Sequence, residues 1–296
     1  MSTPGIYYRY PRTSDPGAFL LKLSDVMLTT VNTFPSGYSI NKDKVVFTDN
    51  MNTVITIAPD GQQKNITASG LYQMGRPTLS PDGLTVAVQA SEDPAVPANS
   101  LNIYTVSLAN GAWQRISNLP VNEEAPRWFP RSNKVAYTSF SPTDGINIHI
   151  YDVSAQREVM QIGNMAGGLS LAITADEKYI LSPSLMRIYD LQTGNMTTDL
   201  RPTILTALTN AGFEQDTRFP GQANRGTYTL DGSFSPDGKT IVFDGAVKRG
   251  TSYGLIMARI NVDGTGFTLL SDIIPNTPSF SNNNNYSQIN PYWLGE

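Results

Sequence analysis

The sequence predicts an all-β fold, a six-bladed β-propeller of four-stranded blades, from three features of its 296 residues. A Ser-Pro-Asp-Gly turn leading into an alternating apolar strand occurs twice, at LSPDGLTVAVQA (79–90) and FSPDGKTIVFDGA (234–246). Runs rich in Val, Ile, Tyr, Phe and Thr alternate at period two and are bounded by Gly, Asn, Asp and Pro, the pattern of strands. The units repeat at roughly the 40–50 residues that a propeller blade occupies.

The units follow one another along the chain. Their first strands begin near Tyr38, Pro77, Pro126, Gly168 and Tyr228, at separations of 39, 49, 42 and 60 residues. Degenerate copies of the turn-and-strand phrase stand at INKDKVVFTD (40–49), FPRSNKVAYTSF (129–140) and ITADEKYILS (173–182). After each phrase comes a further strand: TVITIA (53–58), LNIYTVSL (101–108), INIHIYDV (146–153), LMRIYDLQ (185–192) and GLIMARIN (254–261). The turns PDGQ, ANGA, SAQ, TGN and VDGTG lead to the outer strands, and Asp-Gly and Asn-Gly supply the positive φ of tight hairpins. These limits give blade 1 at 38–69, blade 2 at 77–119, blade 3 at 126–164, blade 4 at 168–201 and blade 5 at 228–272.

The longest interval holds an insertion at 202–226, in which TILTALTNAG (203–212) is the best helix candidate, two turns ending at Gly212. The two ends complete a sixth blade: 288–296 reads as its inner strand, and GIYYRY, AFLLKLS and VMLTTV within 1–32 as the other three. Such closure removes the two open edges of an end-to-end stack of sheets. Residues 1–296 are therefore expected to form a single domain, with five or seven blades as the alternative counts.

Composition narrows the function. Charged residues are 16% of the chain, against roughly 25% in an average soluble protein, with a net charge of -4 and a pI near 5.1. Phosphate recognition needs a clustered basic surface, so a charge-driven nucleic-acid binder is not expected. The absence of cysteine excludes disulfides, thiolate zinc sites and a cysteine nucleophile. The longest apolar stretch, AFLLKLSDVML (18–28), is broken by Lys22 and Asp25 and falls short of the ~18 apolar residues of a spanning helix, so no membrane insertion is expected. The start lacks a basic segment followed by an apolar one; if the protein is exported, its signal has been removed. A Cys-free chain rich in Asn, Thr and Ser leans toward an extracytoplasmic place: periplasmic, secreted or on a particle surface.

PTLSPDGLTVAV (77–88) and GSFSPDGKTIVF (232–243) resemble the PD40, or WD40-like, repeat of TolB-type propellers, and INVDGTGFTLLSD (260–272) is similar to that family's third-strand and fourth-strand segment. The resemblance covers essentially the whole chain as repeats and implies the propeller architecture. It implies no single activity, because the family ranges from envelope scaffolds to regulatory propellers attached to peptidases. A counterpart of the N-terminal domain that precedes the propeller in TolB is not expected within these residues, nor is a peptidase domain.

Chemistry-bearing residues are few. Asp82, Asp237 and Asp263 each stand nearly alone where a calcium loop needs several oxygen ligands; they read as turn formers, and neither metal nor cofactor is expected. His149, the sole histidine, would have to be the base of any Ser-His-Asp triad. It shares a strand face with Asn147 and Tyr151, opposite Ile146, Ile148 and Ile150, which suits a polar position between packed blades. No catalytic residue is assigned. Glu123 and Glu124, with Asp231 as a companion, are the best carboxylates for sugar chemistry, although neighbours on extended backbone point apart and a solvated connector is the plainer expectation.

Topology offers the more useful clue, because long connectors above a rigid scaffold carry recognition. The blade-to-blade connectors are 120–125, 201–226 and 273–288, while 91–100 and 246–252 are expected on the opposite face. Inner-strand entries place Arg76, Arg127, Trp128, Tyr228, Asp231, Asn290 and Tyr292 around a channel mouth, with Trp128 and Tyr292 expected to pack between blades. The insertion adds Phe213, Arg218, Phe219 and Arg225, and the Asn-rich tract 281–287 adds Tyr286. Aromatic residues and arginine beside acids make a binding hot spot. The expected face therefore comprises Arg76, Glu123, Glu124, Arg127, Phe213, Arg218, Phe219, Arg225, Asp231, Tyr286 and Asn290. Asn65, Asn195 and Asn285 lie in N-x-S/T sequons, which matter only in a eukaryotic secretory setting.

The expectation is a non-enzymatic recognition or scaffold propeller that binds a protein partner within an envelope or particle assembly. The alternative is a carbohydrate-binding or carboxylate-based carbohydrate-active propeller; a lactonase-type enzyme, which needs a channel metal, ranks third.

Overall fold

A computed structural model describes residues 5–11, 18–22, 27–31, 38–40, 44–49, 51–58, 62–95, 101–141, 145–165, 170–215, 229–275 and 292–294. Strands β1 (Gly5–Pro11), β2 (Ala18–Lys22) and β3 (Met27–Val31) come first. The first complete sheet is β4 (Tyr38–Ile40), β5 (Val45–Thr48), β6 (Thr53–Ile57) and β7 (Gln63–Thr67). The second is β8 (Tyr72–Leu79), β9 (Thr85–Ser91), β10 (Asn102–Ser107) and β11 (Trp113–Arg115). The third is β12 (Glu123–Trp128), β13 (Lys134–Ser141), β14 (Gly145–Asp152) and β15 (Arg157–Met165). The fourth is β16 (Ala172–Ile173), β17 (Tyr179–Ser182), β18 (Arg187–Asp190) and β19 (Met196–Asp199), followed by helix α1 (Arg201–Asn210).

In the fifth sheet, β20 (Glu214–Gln215) and β21 (Thr229–Phe234) both pair with β22 (Thr240–Arg249). Its third strand, β23 (Ser252–Asn261), carries β24 (Thr268–Leu269) and β25 (Ile274–Pro275) on its outer edge. Five blades of consecutive strands are thus present, against the six predicted. The chain ends meet in a separate sheet, where β26 (Tyr292–Leu294) pairs with β1 to give the order β26-β1-β2-β3.

The repeated turn explains why the sequence breaks where it does. In SPDG the Ser80 hydroxyl donates to Asp82 Oδ1, which also accepts the Leu84 amide at 3.0 Å, while the Thr85 amide donates to Ser80 Oγ at 3.0 Å. Ser235, Asp237, Lys239 and Thr240 repeat these bonds at 2.6, 3.1 and 2.9 Å. In both turns glycine takes the left-handed conformation, Gly83 at φ 69° and Gly238 at φ 70°, where a Cβ is costly. These hydrogen bonds hold the Asp82 and Asp237 carboxyls below the usual carboxylate range, the serine hydroxyl being the chief cause in each. Asp263 is lowered in the same way by the Thr265 hydroxyl and amide.

Two compact units divide the chain: Val31–Leu171 with Met1–Thr3, and Ala172–Glu296 with Pro4–Thr30. In the first, Val46, Val54, Leu71, Met74, Val86 and Tyr104 pack between the first and second sheets, and Ala87, Ile103, Trp128, Val135 and Tyr137 between the second and third. In the second, α1 adds Ile204 and Leu208 to a core that includes Leu181, Ile188, Phe213, Phe243 and Ile256. Each Val, Leu, Ile, Phe or Met among them contributes about 1.5–3 kcal/mol when fully buried.

Two connector expectations change. The chain leaves β9 and β22 toward the third strand of its sheet, and antiparallel order puts that exit at the end where the inner strand begins. The connection through 91–100 therefore belongs with the blade-to-blade entries, not opposite them. Residues 246–252 are mostly strand: Arg249 pairs with Ser252, leaving Gly250 (φ 60°) and Thr251 as a two-residue turn, with glycine at the first central position as a II′ hairpin requires.

Candidate functional site

The inner strands enter their blades through bulges. Pairing with the second strand slips between Gly75 and Thr78 in β8, Glu124 and Arg127 in β12, and Thr229 and Gly232 in β21. Arg76 (φ 48°) and Ala125 (φ 54°) occupy equivalent left-handed positions, each just before a proline. Side chains satisfy the backbone groups that the bulges release. The Ala125 amide donates to Gln89 Oε1 at 3.0 Å, Thr138 Oγ1 donates to the Glu124 carbonyl at 3.0 Å, and the Asp231 amide donates to buried Asp244 Oδ1 at 2.7 Å.

Arg76, Glu124 and Arg127 are half-buried on adjacent inner strands, which are joined where the Trp128 amide donates to Thr78 Oγ1 at 3.1 Å. Asp231 is half-buried on β21. Glu123 and Phe213 sit differently from the surface positions predicted for them. Glu123 is 0% exposed and Phe213 2%. Alternation along β12 turns Glu123 inward and Glu124 outward, and Phe213 belongs to the core around α1. Trp128 packs between the second and third sheets, and Tyr292 lies in β26. Arg218, Phe219, Arg225, Tyr228, Asn285, Tyr286 and Asn290 lie outside the described residues.

Sequence reasoning missed the partners of His149. Ser139 Oγ lies 2.8 Å from His149 Nε2, and His149 Nδ1 lies 2.9 Å from Glu158 Oε2. A carboxylate only accepts, so Nδ1 carries the proton, and in the neutral ring Nε2 accepts from Ser139. This is the connectivity of a nucleophile, base and carboxylate. Its setting is not that of a hydrolase. Ser139 is 3% exposed and lies in the ladder between Glu123 and Asn147, whereas acyl transfer needs a substrate carbonyl at Oγ and donors aimed at the developing oxyanion. What the arrangement does is order three strands, with Tyr137 stacked on the imidazole at 5.1 Å between ring centroids. No sequence signal pointed to Glu158, which reaches His149 across a bulge between Ile150 and Tyr151. Among the described residues, no three His, Asp or Glu side chains are grouped to hold a metal ion, and no helix is long and apolar enough to cross a membrane.

No family model matches the chain, nor does any curated protein. Solved structures do. TolB from Acinetobacter baumannii is similar at TM-score 0.63 and 18% identity, over 100% of this chain and 67% of that one. The β-propeller domain of Cps50 (Swd1) from Myceliophteria thermophila matches at TM-score 0.57 and 11% identity, over 88% and 81%. A chain of a mitotic checkpoint complex matches at TM-score 0.54 and 14% identity, over 77% and 65%. At these identities the likeness concerns fold alone. With the sheets described above, it makes this chain a β-propeller built from four-stranded blades.

Proposed function

We propose that this chain is a TolB-like, non-enzymatic recognition propeller that binds a protein partner at the blade ends where the inner strands begin. The sheet of β26 with β1–β3 would be its sixth blade, and an extracytoplasmic assembly its setting. The observation that carries the proposal is the pair of bulged entries on β8 and β12. Non-glycine residues in left-handed backbone cost of order 1–3 kcal/mol each and cluster at sites of function. Here they are Arg76 itself and Ala125, which stands between Glu124 and Arg127; the three charged side chains combine long reach with mixed charge. Arginine is enriched where interfaces concentrate their energy, and half-burial restrains it before a partner arrives, which reduces the ordering cost of association. Similarity to a TolB and to a chain of a mitotic checkpoint complex supports the reading by analogy of fold.

The test is capture of a partner from envelope and culture fractions by the wild-type chain, Arg127→Glu and Glu124→Lys, with circular dichroism to confirm that each folds. A protein held by wild type and lost by either variant supports the site. A protein held equally by all three places recognition elsewhere. Capture of none, with glycan-array binding that tracks Glu124, moves the assignment to carbohydrate.

A further inference from the structure

We propose that the junction between the second and third sheets is a proton-operated latch, in which Glu123 seals the junction as a neutral acid and loosens it on losing its proton. The inference concerns the fold and does not depend on the binding role above. Glu123 is the first residue of β12 and 0% exposed, and neither carboxyl oxygen makes a well-formed hydrogen bond. The Ser117 hydroxyl and Leu119 amide lie near enough to favour the ionised form without making up for lost water.

Around it, the connector from β11 to β12 is stitched to the second sheet by single bonds. The Glu123 amide donates to the Leu101 carbonyl at 3.0 Å, and the Leu101 amide to Asn122 Oδ1 at 3.2 Å. The Ile103 amide donates to Ser117 Oγ at 2.8 Å. Among the described residues, the groups that act on the carboxyl are Arg115 from β11, Tyr137 from β13 and Glu158 from β15, with His149 of β14 joining the last two. One cation opposes one anion, so nothing nearby compensates a buried carboxylate in full.

The direction of the pH effect follows. Burial raises the Glu123 carboxyl from 4.5 to about 7. Between those values the folded chain holds a proton that the unfolded chain has released. The stabilisation is complete below about 4.5, falls as pH rises and is gone above about 7. At the upper end the folded-to-unfolded ratio drops by on the order of a hundredfold, at tenfold per unit of displacement. A charge appearing there strains the same bonds that hold 115–123, so local opening of that connector should precede global unfolding.

The experiment measures Tm and amide exchange, corrected for intrinsic rates, from pH 5 to 8.5 on the whole chain. Wild type should lose Tm across the window, with exchange accelerating first in 115–128. Glu123→Gln, which cannot ionise, should be flat, while His149→Asn should keep the wild-type slope. Persistence of the slope in Glu123→Gln, or its loss in His149→Asn alone, overturns the latch. Carboxyl-carbon NMR of the wild-type chain decides the matter without any variant: a Glu123 midpoint near 7 supports it, and one between 4 and 5 overturns it.

Discussion

Thr78 Oγ1 accepts the backbone amide of Trp128 at 3.1 Å, linking the inner strand of one blade to that of the next. Ser39 Oγ accepts the Leu79 amide at 3.0 Å one blade earlier, from the equivalent position. In both cases the hydroxyl lies two residues before the turn and the donor one residue before it. An inner strand has one edge that no fifth strand covers, and its amides need partners there. Among the described residues the two junctions above show this contact, and the residues equivalent to Thr78 in the next two blades, Arg127 and Ala172, carry no hydroxyl.

Thr78→Val should therefore destabilise the chain beyond the loss of a surface contact. Valine keeps the shape but leaves the buried Trp128 amide without an acceptor, a cost of about 1–3 kcal/mol. Urea unfolding of the variant should show a lower midpoint at unchanged slope, and Thr78→Ser should restore most of the loss. An unchanged midpoint would mean that the amide finds another partner.

The turn at 174–178 offers the opposite test. Thr174 and Asp176 reproduce the SPDG bonds, with Thr174 Oγ1 donating to Asp176 Oδ1 at 2.7 Å and accepting the Tyr179 amide at 3.0 Å. Glu177, however, stands at φ 60° where the two SPDG turns have glycine. Left-handed backbone costs a non-glycine residue roughly 1–2 kcal/mol, and the added freedom of glycine in the unfolded chain returns about 0.4–1 kcal/mol. Glu177→Gly should thus raise stability by about 0.5–1 kcal/mol, seen as a higher Tm at fixed pH and salt. Gly238→Ala should lower it by a similar amount, because its Cβ would meet Thr174 Cγ2 and Cβ at an ordinary 3.5 and 3.8 Å and the cost is conformational.

The strands and turns were legible because their signals are local. Period-two alternation marks β9, β13 and β22, and the helix expected at 203–212 appears as α1 (Arg201–Asn210), with Gly212 at φ 78° just past its end. The site was less legible because its determinants are distant in sequence. Glu123 reads as solvated connector until β12 is seen to begin there and to turn it inward. His149 shows no partner in sequence, since Ser139 and Glu158 reach it from neighbouring strands. Phe213 looks like an exposed aromatic in a charged loop until β22 is known to run on to Arg249.

That last pair sets the stability of the insertion. Arg249 lies over the Phe213 ring, 4.1 Å from its centroid, and donates to the Ala211 carbonyl at 3.3 Å and to Asp272 Oδ1 at 3.2 Å. Asp272 is 81% exposed, so its ion pair contributes little, and an exposed cation such as Arg249 over a ring is worth about 0.5–1 kcal/mol. Buried Phe213 carries more: replacing it by alanine removes a core ring beside Ile204 and Leu208, at a cost of about 3–5 kcal/mol. Phe213→Ala should accordingly lower Tm several times further than Arg249→Ala, with Phe213→Leu between them. Equal losses would mean that the cation, not the core, anchors the insertion. Deleting 202–226 would remove the same core side chains, so its effect on partner binding would report lost folding before it reported a lost contact.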